Sequence, residues 1–304
     1  MRHHRPRTVS LIAIGAASTA LLAATVVGTA SPALSASRVR TAIAVKPVTP
    51  GSSYLALGDS VTFGYREATN QPPPAYSNAA SFVAYPQDVG TALDLKVANA
   101  SCPGETSLSL IQSAVQSNGC ENIPGGGPGY RSAFPLHVSY TGTQLKYALQ
   151  YLHAHSTTRL VTLMIGANDA FLCQETTADK CSSELTGVLK QLATDVADIL
   201  KSIRTTSRYR GQIVIVNYYS LDYSNPASVA GSQALNATVD NAAKPFSVRI
   251  ADGFGAFQAA AAQSGGNSCT AGLITALKGG GCGVHPSLAG QALLALAVEE
   301  AIAH

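Results

Sequence analysis

The chain has 304 residues, of which 46% are hydrophobic and 12% are charged. This composition is typical of a globular protein, and it excludes a disordered chain, a collagen-like repeat and a charge-rich coiled coil. The net charge of +3 comes from Arg2, Arg5 and Arg7, because the other basic residues equal the acidic ones in number. The rest of the chain is therefore neutral, and we expect no nucleic acid or other polyanion as a partner.

The N-terminal segment has the form of a secretory signal. No charged residue occurs from Thr8 to Ser37, and a small, apolar stretch from Leu11 to Ala30 follows the basic start. About 20 apolar residues can span a bilayer, but alanine and glycine make this stretch only weakly hydrophobic. We therefore predict a signal peptide over residues 1–36, followed by a linker over residues 37–52, and favour secretion over an uncleaved membrane anchor. The sequence does not select one cleavage site.

After the linker, short apolar runs alternate with helical patterns. The alternation predicts a parallel sheet with helices on both faces, which is an α/β fold of three layers. The length suits one domain over residues 53–304. We predict strands over Ser53–Leu57, Lys96–Ala100, Leu160–Ile165, Ile213–Asn217 and Phe246–Ala251. The clearest helices are predicted over Gln144–His155, Glu184–Ile203, Phe254–Gln263 and Leu288–Ala301. Segments rich in glycine, proline and serine, over Asn70–Asn78, Asn118–Gly129 and Ser264–Cys282, are predicted as loops.

The residues that follow the predicted strands carry the functional groups. Ligands of open α/β sheets bind beyond the carboxyl ends of the strands. The first strand runs into Gly58, Asp59 and Ser60, the second into a turn that contains Gly104, and the third into the segment from Gly166 to Asp169. His285 precedes the last helix. We expect these segments to meet at one rim of the sheet.

This set of residues suits the hydrolysis of an ester. A serine hydroxyl becomes a nucleophile when a base removes its proton, and histidine titrates near neutral pH, so Ser60 and His285 are the candidate catalytic residues. The oxyanion that forms needs preorganised donors. The backbone amides of Ser60 and Gly104 and the side-chain amide of Asn168 are the candidates. Asp59 and Asp169 are expected to be structural and to bond loop amides.

Six cysteines, all beyond the signal, suit an oxidising compartment. Fifteen pairings are possible, and the short intervening loops favour the sequential one. That pairing joins Cys102 to Cys120, Cys173 to Cys181 and Cys269 to Cys282. No CxxC or HExxH motif occurs, so we predict no metal site, and no cofactor is expected.

Four blocks of the sequence resemble those of the SGNH (GDSL) hydrolases: Gly58-Asp59-Ser60, Gly104, Gly166-Ala167-Asn168-Asp169 and His285-Pro286. The resemblance implies a flavodoxin-like three-layer α/β/α sandwich with a central parallel sheet. It also implies esterase or lipase activity on small-molecule or lipid acyl esters. The run from Cys102 to Thr106 and the six cysteines are similar to those of secreted actinobacterial members with three disulfides. An α/β-hydrolase is excluded because Ser60 does not lie in a Gly-x-Ser-x-Gly elbow.

One position departs from the family pattern. The family usually has an aspartate three residues before the histidine, where this chain has Cys282. Some members use a backbone carbonyl instead, which leaves a Ser/His dyad. We therefore expect the carbonyl of Cys282 or Gly283 to orient His285, with Asp252 as the alternative acid.

Two functions from different classes remain. The favoured one is a secreted, monomeric serine esterase or lipase that contacts lipid surfaces transiently. The other is a catalytically silent protein of the same fold that binds lipid or glycan. Ser60 and His285 are both present, which favours the enzyme. The sequence does not specify the acyl chain or the alcohol group of the substrate.

Overall fold

The computed structural model describes residues 45–70 and 72–302. The predicted signal peptide and the first half of the linker, residues 37–44, lie outside the described residues. The strands are β1 Ser53–Gly58, β2 Lys96–Asn99, β3 Thr158–Met164, β4 Gln212–Val216, β5 Arg249–Ala251, β6 Ile274–Ala276 and β7 Cys282–Pro286. The helices are α1 Ser60–Phe63, α2 Tyr85–Ala92, α3 Ser107–Ile111, α4 Tyr130–Ala133, α5 Gln144–Ala154, α6 Ala167–Thr176, α7 Leu185–Lys201, α8 Pro226–Ala243, α9 Gly253–Ala261 and α10 Leu288–Ala301.

Strands β1 to β5 form a parallel sheet in the order β2-β1-β3-β4-β5. Every residue of β1 and of β4 is buried, because helices cover both faces of the sheet. Continuous apolar strands are typical of such doubly covered parallel sheets. The order of the strands is that of the flavodoxin-like fold. The predicted three-layer α/β/α sandwich with a central parallel sheet is therefore confirmed.

Two sets of helices form the outer layers. On one side α10 packs against α2, α9 and strands β4 and β5. On the other, α7 packs against α3, α6 and α8, and α5 packs against α3 and β1. On α7, Leu192, Val196 and Ile199 recur at spacings of four and three and are buried, so they form a stripe that faces the core.

The structure differs from the sequence-based expectation at several element ends. The strand predicted over Phe246–Ala251 is formed only from Arg249 onward, because Lys244–Phe246 is a 3₁₀ turn that contains Pro245. The helix predicted over Glu184–Ile203 changes to π-type hydrogen bonding at Ser202. The predicted loop over Ser264–Cys282 contains β6, which pairs with β7 as an antiparallel hairpin.

None of the helices in the described part of the chain is long and apolar enough to cross a membrane.

A buried glutamine joins α10 to the first turns of the fold. Gln291 is 2% exposed, and its Oε1 accepts a hydrogen bond from the backbone N–H of Tyr85 at 2.9 Å. Its Nε2 donates to the carbonyl of Val61 at 3.0 Å. The side chain therefore fixes α10 against the N-terminus of α2 and against α1, which carries Ser60.

We predict that Gln291→Leu lowers the free energy of unfolding by about 1–3 kcal/mol, because it leaves the buried N–H of Tyr85 without an acceptor. Urea denaturation measures the change. Leu296 lies on the same helix and is 53% exposed, so Leu296→Gln is the control and should change stability by less than about 0.5 kcal/mol. Equal stability of the Gln291→Leu variant and the wild type would contradict the prediction.

Candidate active site

Ser60 lies where the strand order of the sheet reverses. Strand β1 is flanked by β2 and β3, and loops at such a switch point leave a crevice at the carboxyl ends of the strands. Ser60 is the first residue of α1. Gly58, with a φ of +147°, precedes it, and a Cβ there would lie 2.3 Å from the carbonyl oxygen of Met164. Only glycine allows β1 to enter the turn this close to the end of β3.

The carboxylate of Asp59 is the N-cap of α1 and holds three segments together. Its Oδ1 accepts from the backbone N–H of Val61 at 2.9 Å. Its Oδ2 accepts from the hydroxyl of Tyr218 at 2.5 Å and from Nδ2 of Asn168 at 3.3 Å. The side chain is fully buried, and although these donors favour the charged form, burial raises the pKa of Asp59 to about 6. The predicted structural role of Asp59 agrees with these contacts.

The three expected oxyanion donors line one cavity with Ser60. The backbone N–H groups of Ser60 and Gly104 donate no hydrogen bond to any acceptor among the described residues. Gly104 has a φ of +81° and packs directly on Gly119, and its carbonyl accepts from the N–H of Asn118 at 2.8 Å. The Oδ1 of Asn168 accepts from Nδ2 of Asn118 at 3.1 Å, which orients the amide of Asn168. The two backbone N–H groups are therefore free to bind a ligand, and the side-chain amide of Asn168 is held beside them.

His285 lies on β7, which packs against α1 and so lies beside Ser60. Its ring contacts that of Tyr65 edge-on, with 4.9 Å between the centroids. The hydroxyl of Tyr219 donates to the carbonyl of Val284 at 2.6 Å and fixes the strand next to the histidine. Ser60 and His285 line the same cavity, but no hydrogen bond joins the serine hydroxyl to the imidazole. Such bonds often tighten only when substrate binds.

A carboxylate that sequence reasoning missed contacts the imidazole. Oε1 of Glu67 lies 2.6 Å from Nδ1 of His285 and also accepts from the backbone N–H of Val284 at 3.3 Å. Its Oε2 accepts from the hydroxyl of Thr275 at 2.9 Å. Partial burial of Glu67 opposes its ionisation, but the hydrogen bond and the charge of His285 outweigh it and lower the pKa of Glu67 to about 2. The side chain is therefore a carboxylate across the physiological pH range.

The structure presents Glu67 to Nδ1 of His285, where the sequence led us to expect a carbonyl of Cys282 or Gly283. The imidazole makes no hydrogen bond to the carbonyl of either described residue, Cys282 or Gly283. Gly283 contributes in another way, since a Cβ there would lie 2.3 Å from Oε1 of Glu67. The alternative acid Asp252 is the N-cap of α9 and accepts from the N–H of Gly255 at 2.8 Å.

All six cysteines form disulfides, and the pairing is the predicted sequential one: Cys102–Cys120, Cys173–Cys181 and Cys269–Cys282. The first closes the segment that carries Gly104, and the third ends at the first residue of β7. The bridges therefore hold two of the segments that line the cavity.

Asp169 and Glu105 are buried carboxyl groups behind the cavity wall. Asp169 accepts from the backbone N–H of Ser107 at 3.0 Å, which agrees with its predicted structural role. Glu105 contacts the hydroxyl of Ser109 at 2.5 Å and accepts from Nε2 of Gln144 at 3.1 Å. Complete burial raises the pKa of Glu105 to about 7 despite these bonds.

In the described part of the chain, one group of three potential metal ligands lies close enough to share an ion: Cys102, Glu105 and Cys120. The two cysteines form a disulfide with each other, so neither offers a thiolate. The prediction that no metal takes part in the reaction stays a prediction.

The arrangement can carry out acyl transfer. A serine at a helix N-terminus, a histidine held by a carboxylate and three donors lie around a cavity of about 930 Å³. This volume is at the upper end of the range for sites that bind drug-sized molecules.

Comparison with known proteins agrees with this geometry. The model of the GDSL-like lipase/acylhydrolase family matches residues 56–293. None of the curated proteins compared with the chain matches it.

Two solved structures share the fold. Phospholipase A1 from Streptomyces albidoflavus NA297 is 18% identical with a TM-score of 0.53, over 83% of this chain and 99% of that chain. Axe2, an acetylxylan esterase from Geobacillus stearothermophilus, is 16% identical with a TM-score of 0.52, over 85% of this chain and 97% of that chain. At these identities the likeness shows the fold alone.

We predict that Glu105→Gln changes how stability depends on pH. Between its ordinary pKa of 4.5 and its folded pKa of about 7, the folded protein keeps a proton on Glu105 that the unfolded chain loses. The wild type therefore loses stability relative to the variant as pH rises through this window, by about 3 kcal/mol in total. Urea denaturation of both proteins from pH 4.5 to 8 measures the difference, in which the contributions of Asp59 and Asp169 cancel. A constant difference across the range would contradict the prediction.

Proposed function

The chain belongs to the GDSL-like lipase/acylhydrolase family, and we propose that within this family it is a serine esterase or lipase that uses Ser60 and His285. Membership makes the protein a hydrolase of acyl esters. The single observation that supports the assignment of residues is the contact between the carboxylate of Glu67 and Nδ1 of His285, which lines the same cavity as Ser60, because a neutral histidine held by a carboxylate is suited to act as the base for a serine nucleophile.

In the first half of the proposed reaction, Oγ of Ser60 attacks the acyl carbon and its proton passes to Nε2 of His285. The carbonyl oxygen becomes an oxyanion, which accepts from the N–H groups of Ser60 and Gly104 and from Nδ2 of Asn168. When the tetrahedral intermediate collapses, the bond to the alcohol oxygen breaks and His285 donates its proton to that oxygen. The acyl group remains on Ser60.

In the second half, water attacks the acyl carbon while His285 takes one of its protons. The same donors stabilise the second oxyanion. Its collapse breaks the bond to Oγ of Ser60, and the proton returns from His285 to the serine. The carboxylic acid leaves and the enzyme is restored.

Glu67 keeps the imidazole in the productive tautomer, because its carboxylate accepts a hydrogen bond from Nδ1–H, which leaves Nε2 unprotonated and able to take the proton of Ser60. The negative charge also stabilises the imidazolium that forms in both halves. The proposed machinery is therefore a triad of Ser60, His285 and Glu67 in place of the dyad expected from the sequence.

We also propose that the protein acts outside the cytosol. The three disulfides support this, since such bonds persist in oxidising compartments. The signal-like composition of the N-terminal segment supports it independently.

We predict that Ser60→Ala and His285→Ala each lower kcat/KM for p-nitrophenyl butyrate by at least about 1000-fold. A fluorophosphonate should label the wild type, with the adduct on Ser60 by peptide mass spectrometry, and should leave Ser60→Ala unlabelled. Substantial hydrolysis by Ser60→Ala would overturn the assignment. A folded wild type that neither reacts with the probe nor cleaves any ester would indicate the silent binding protein.

We predict that Glu67→Gln lowers kcat by about 100-fold or more with little change in KM, because the amide neither carries the charge nor fixes the tautomer. Glu67→Asp keeps the charge and should recover part of the loss. Circular dichroism confirms that both variants fold at the assay temperature. If a backbone carbonyl oriented His285 instead, Glu67→Gln would retain kcat within about twofold of the wild type.

A further inference from the structure

The apolar residues on the surface are concentrated around the mouth of the active-site cavity. Eleven large hydrophobic side chains are exposed in the described part of the chain, and six of them line this one cavity. These six, the apolar rim, are Ile123, Phe134, Phe171, Leu185, Leu221 and Val284, each between 38% and 43% exposed. A contiguous exposed apolar patch is typical of a surface that binds an apolar ligand.

The cavity extends on both sides of Ser60. Ile123 and Phe134 belong to the segment that follows β2, on one side of β1. Phe171 on α6 and Leu185 on α7 belong to segments that follow β3, on the other side. An ester whose carbonyl carbon lies at Ser60 therefore meets apolar walls along its acyl group and along its alcohol group.

Helix α8 leaves space open in one of these walls. The α8 residues that line the cavity include Ala227, Gly231 and Ala234, which fill little volume. A Cβ at Gly231 would meet nothing within 4 Å. Larger side chains at these positions would occupy the space in which a chain of methylene groups could lie between α8 and Leu189 of α7.

The charges around the cavity select against an anionic substrate. Apart from tyrosines, the titratable residues that line it are Asp59, Glu175 and His285. Neither lysine nor arginine occurs among the lining residues of the described chain. Phosphate groups are recognised by arginine, lysine or free helix-end amides, and His285 is held by Glu67. An anionic phosphate headgroup would thus lie near the exposed carboxylate of Glu175 with no lysine or arginine of the cavity lining to bind it.

We propose that this groove binds uncharged esters with a long alkyl acyl chain, octanoyl or longer, in preference to acetyl esters and to phospholipids. The inference rests on the proposed function, because it places the ester carbonyl at Ser60. Each methylene group that the groove removes from water contributes binding free energy to the acyl chain, whereas an acetyl group leaves the groove empty.

The first test is a series of p-nitrophenyl esters, from acetate through butyrate and octanoate to decanoate, assayed below their aggregation concentrations. We expect kcat/KM for the octanoate to exceed that for the acetate by about 10-fold or more. Equal kcat/KM values across the series, or values that fall from acetate onward, overturn the proposed acyl preference. Because hydrolysis of the acetate by wild type and not by Ser60→Ala tests the catalytic assignment, failure of the two proposals is distinguishable.

The second test fills the groove. Gly231→Leu places a leucine in the open space without backbone strain, and leucine is a better helix former than glycine. We expect the octanoate-to-acetate ratio of kcat/KM to fall by about 10-fold. Gly187→Leu is the matched control, since Gly187 is an exposed helical glycine on α7 with nothing within 4 Å of its Cβ and does not line the cavity. If this ratio changes equally in both variants, or does not change in Gly231→Leu, the position proposed for the acyl chain is wrong.

The third test concerns the charge. Monooleoylglycerol and oleoyl lysophosphatidylglycerol carry the same acyl chain, but only the second carries an anionic phosphate, and they are compared in the same neutral detergent micelles. We expect the uncharged ester to be cleaved about 10-fold faster or more. Equal or faster cleavage of the phospholipid overturns the preference for an uncharged alcohol group while leaving the preference for a long chain to the first two tests.

Discussion

The site depends on one desolvated carboxylate, that of Asp59. A buried charge is costly unless donors surround it, and the donors here come from three segments: Val61 after β1, Asn168 after β3 and Tyr218 after β4. Because each donor satisfies the same group, the loops cannot move apart without leaving the charge unpaired. The position of Ser60, the proposed nucleophile next in sequence to Asp59, is fixed by this one interaction relative to Asn168, the proposed oxyanion donor.

Three acidic residues near the site differ in protonation because their surroundings differ. Glu67 meets an imidazole, which lowers its pKa to about 2 and keeps it charged opposite His285. Asp59 meets neutral donors and complete burial, and its pKa is about 6. Glu105, also fully buried, has a pKa of about 7. Glu67, which lies against Nδ1 of His285, is therefore kept charged, whereas complete burial shifts the pKa values of the two loop-holding residues, Asp59 and Glu105, upward.

The fold and most of the candidate site could be predicted from the sequence, because both depend on local signals. Short apolar runs marked the strands, and the residues just after them are carried to one rim by any parallel sheet. Glu67 had no such signal. It reaches His285 only because the β6–β7 hairpin folds over the segment that follows α1, and Gly283 allows the close approach. Contacts between segments more than 200 residues apart leave no trace in spacing along the chain.

Helix α8 was not predicted from the sequence, and the reason also explains why the groove could not be predicted. Its buried residues are few, and positions such as Gly231 and Ala234 carry almost no apolar surface, so its sequence lacks the strong stripe that marked α7. A helix that packs fully against a core needs large side chains on that face, whereas a helix that borders a cavity must omit them. The weak hydrophobic periodicity of α8 and the open space at Gly231 therefore have one cause, the absence of large side chains on the part of α8 that borders the cavity.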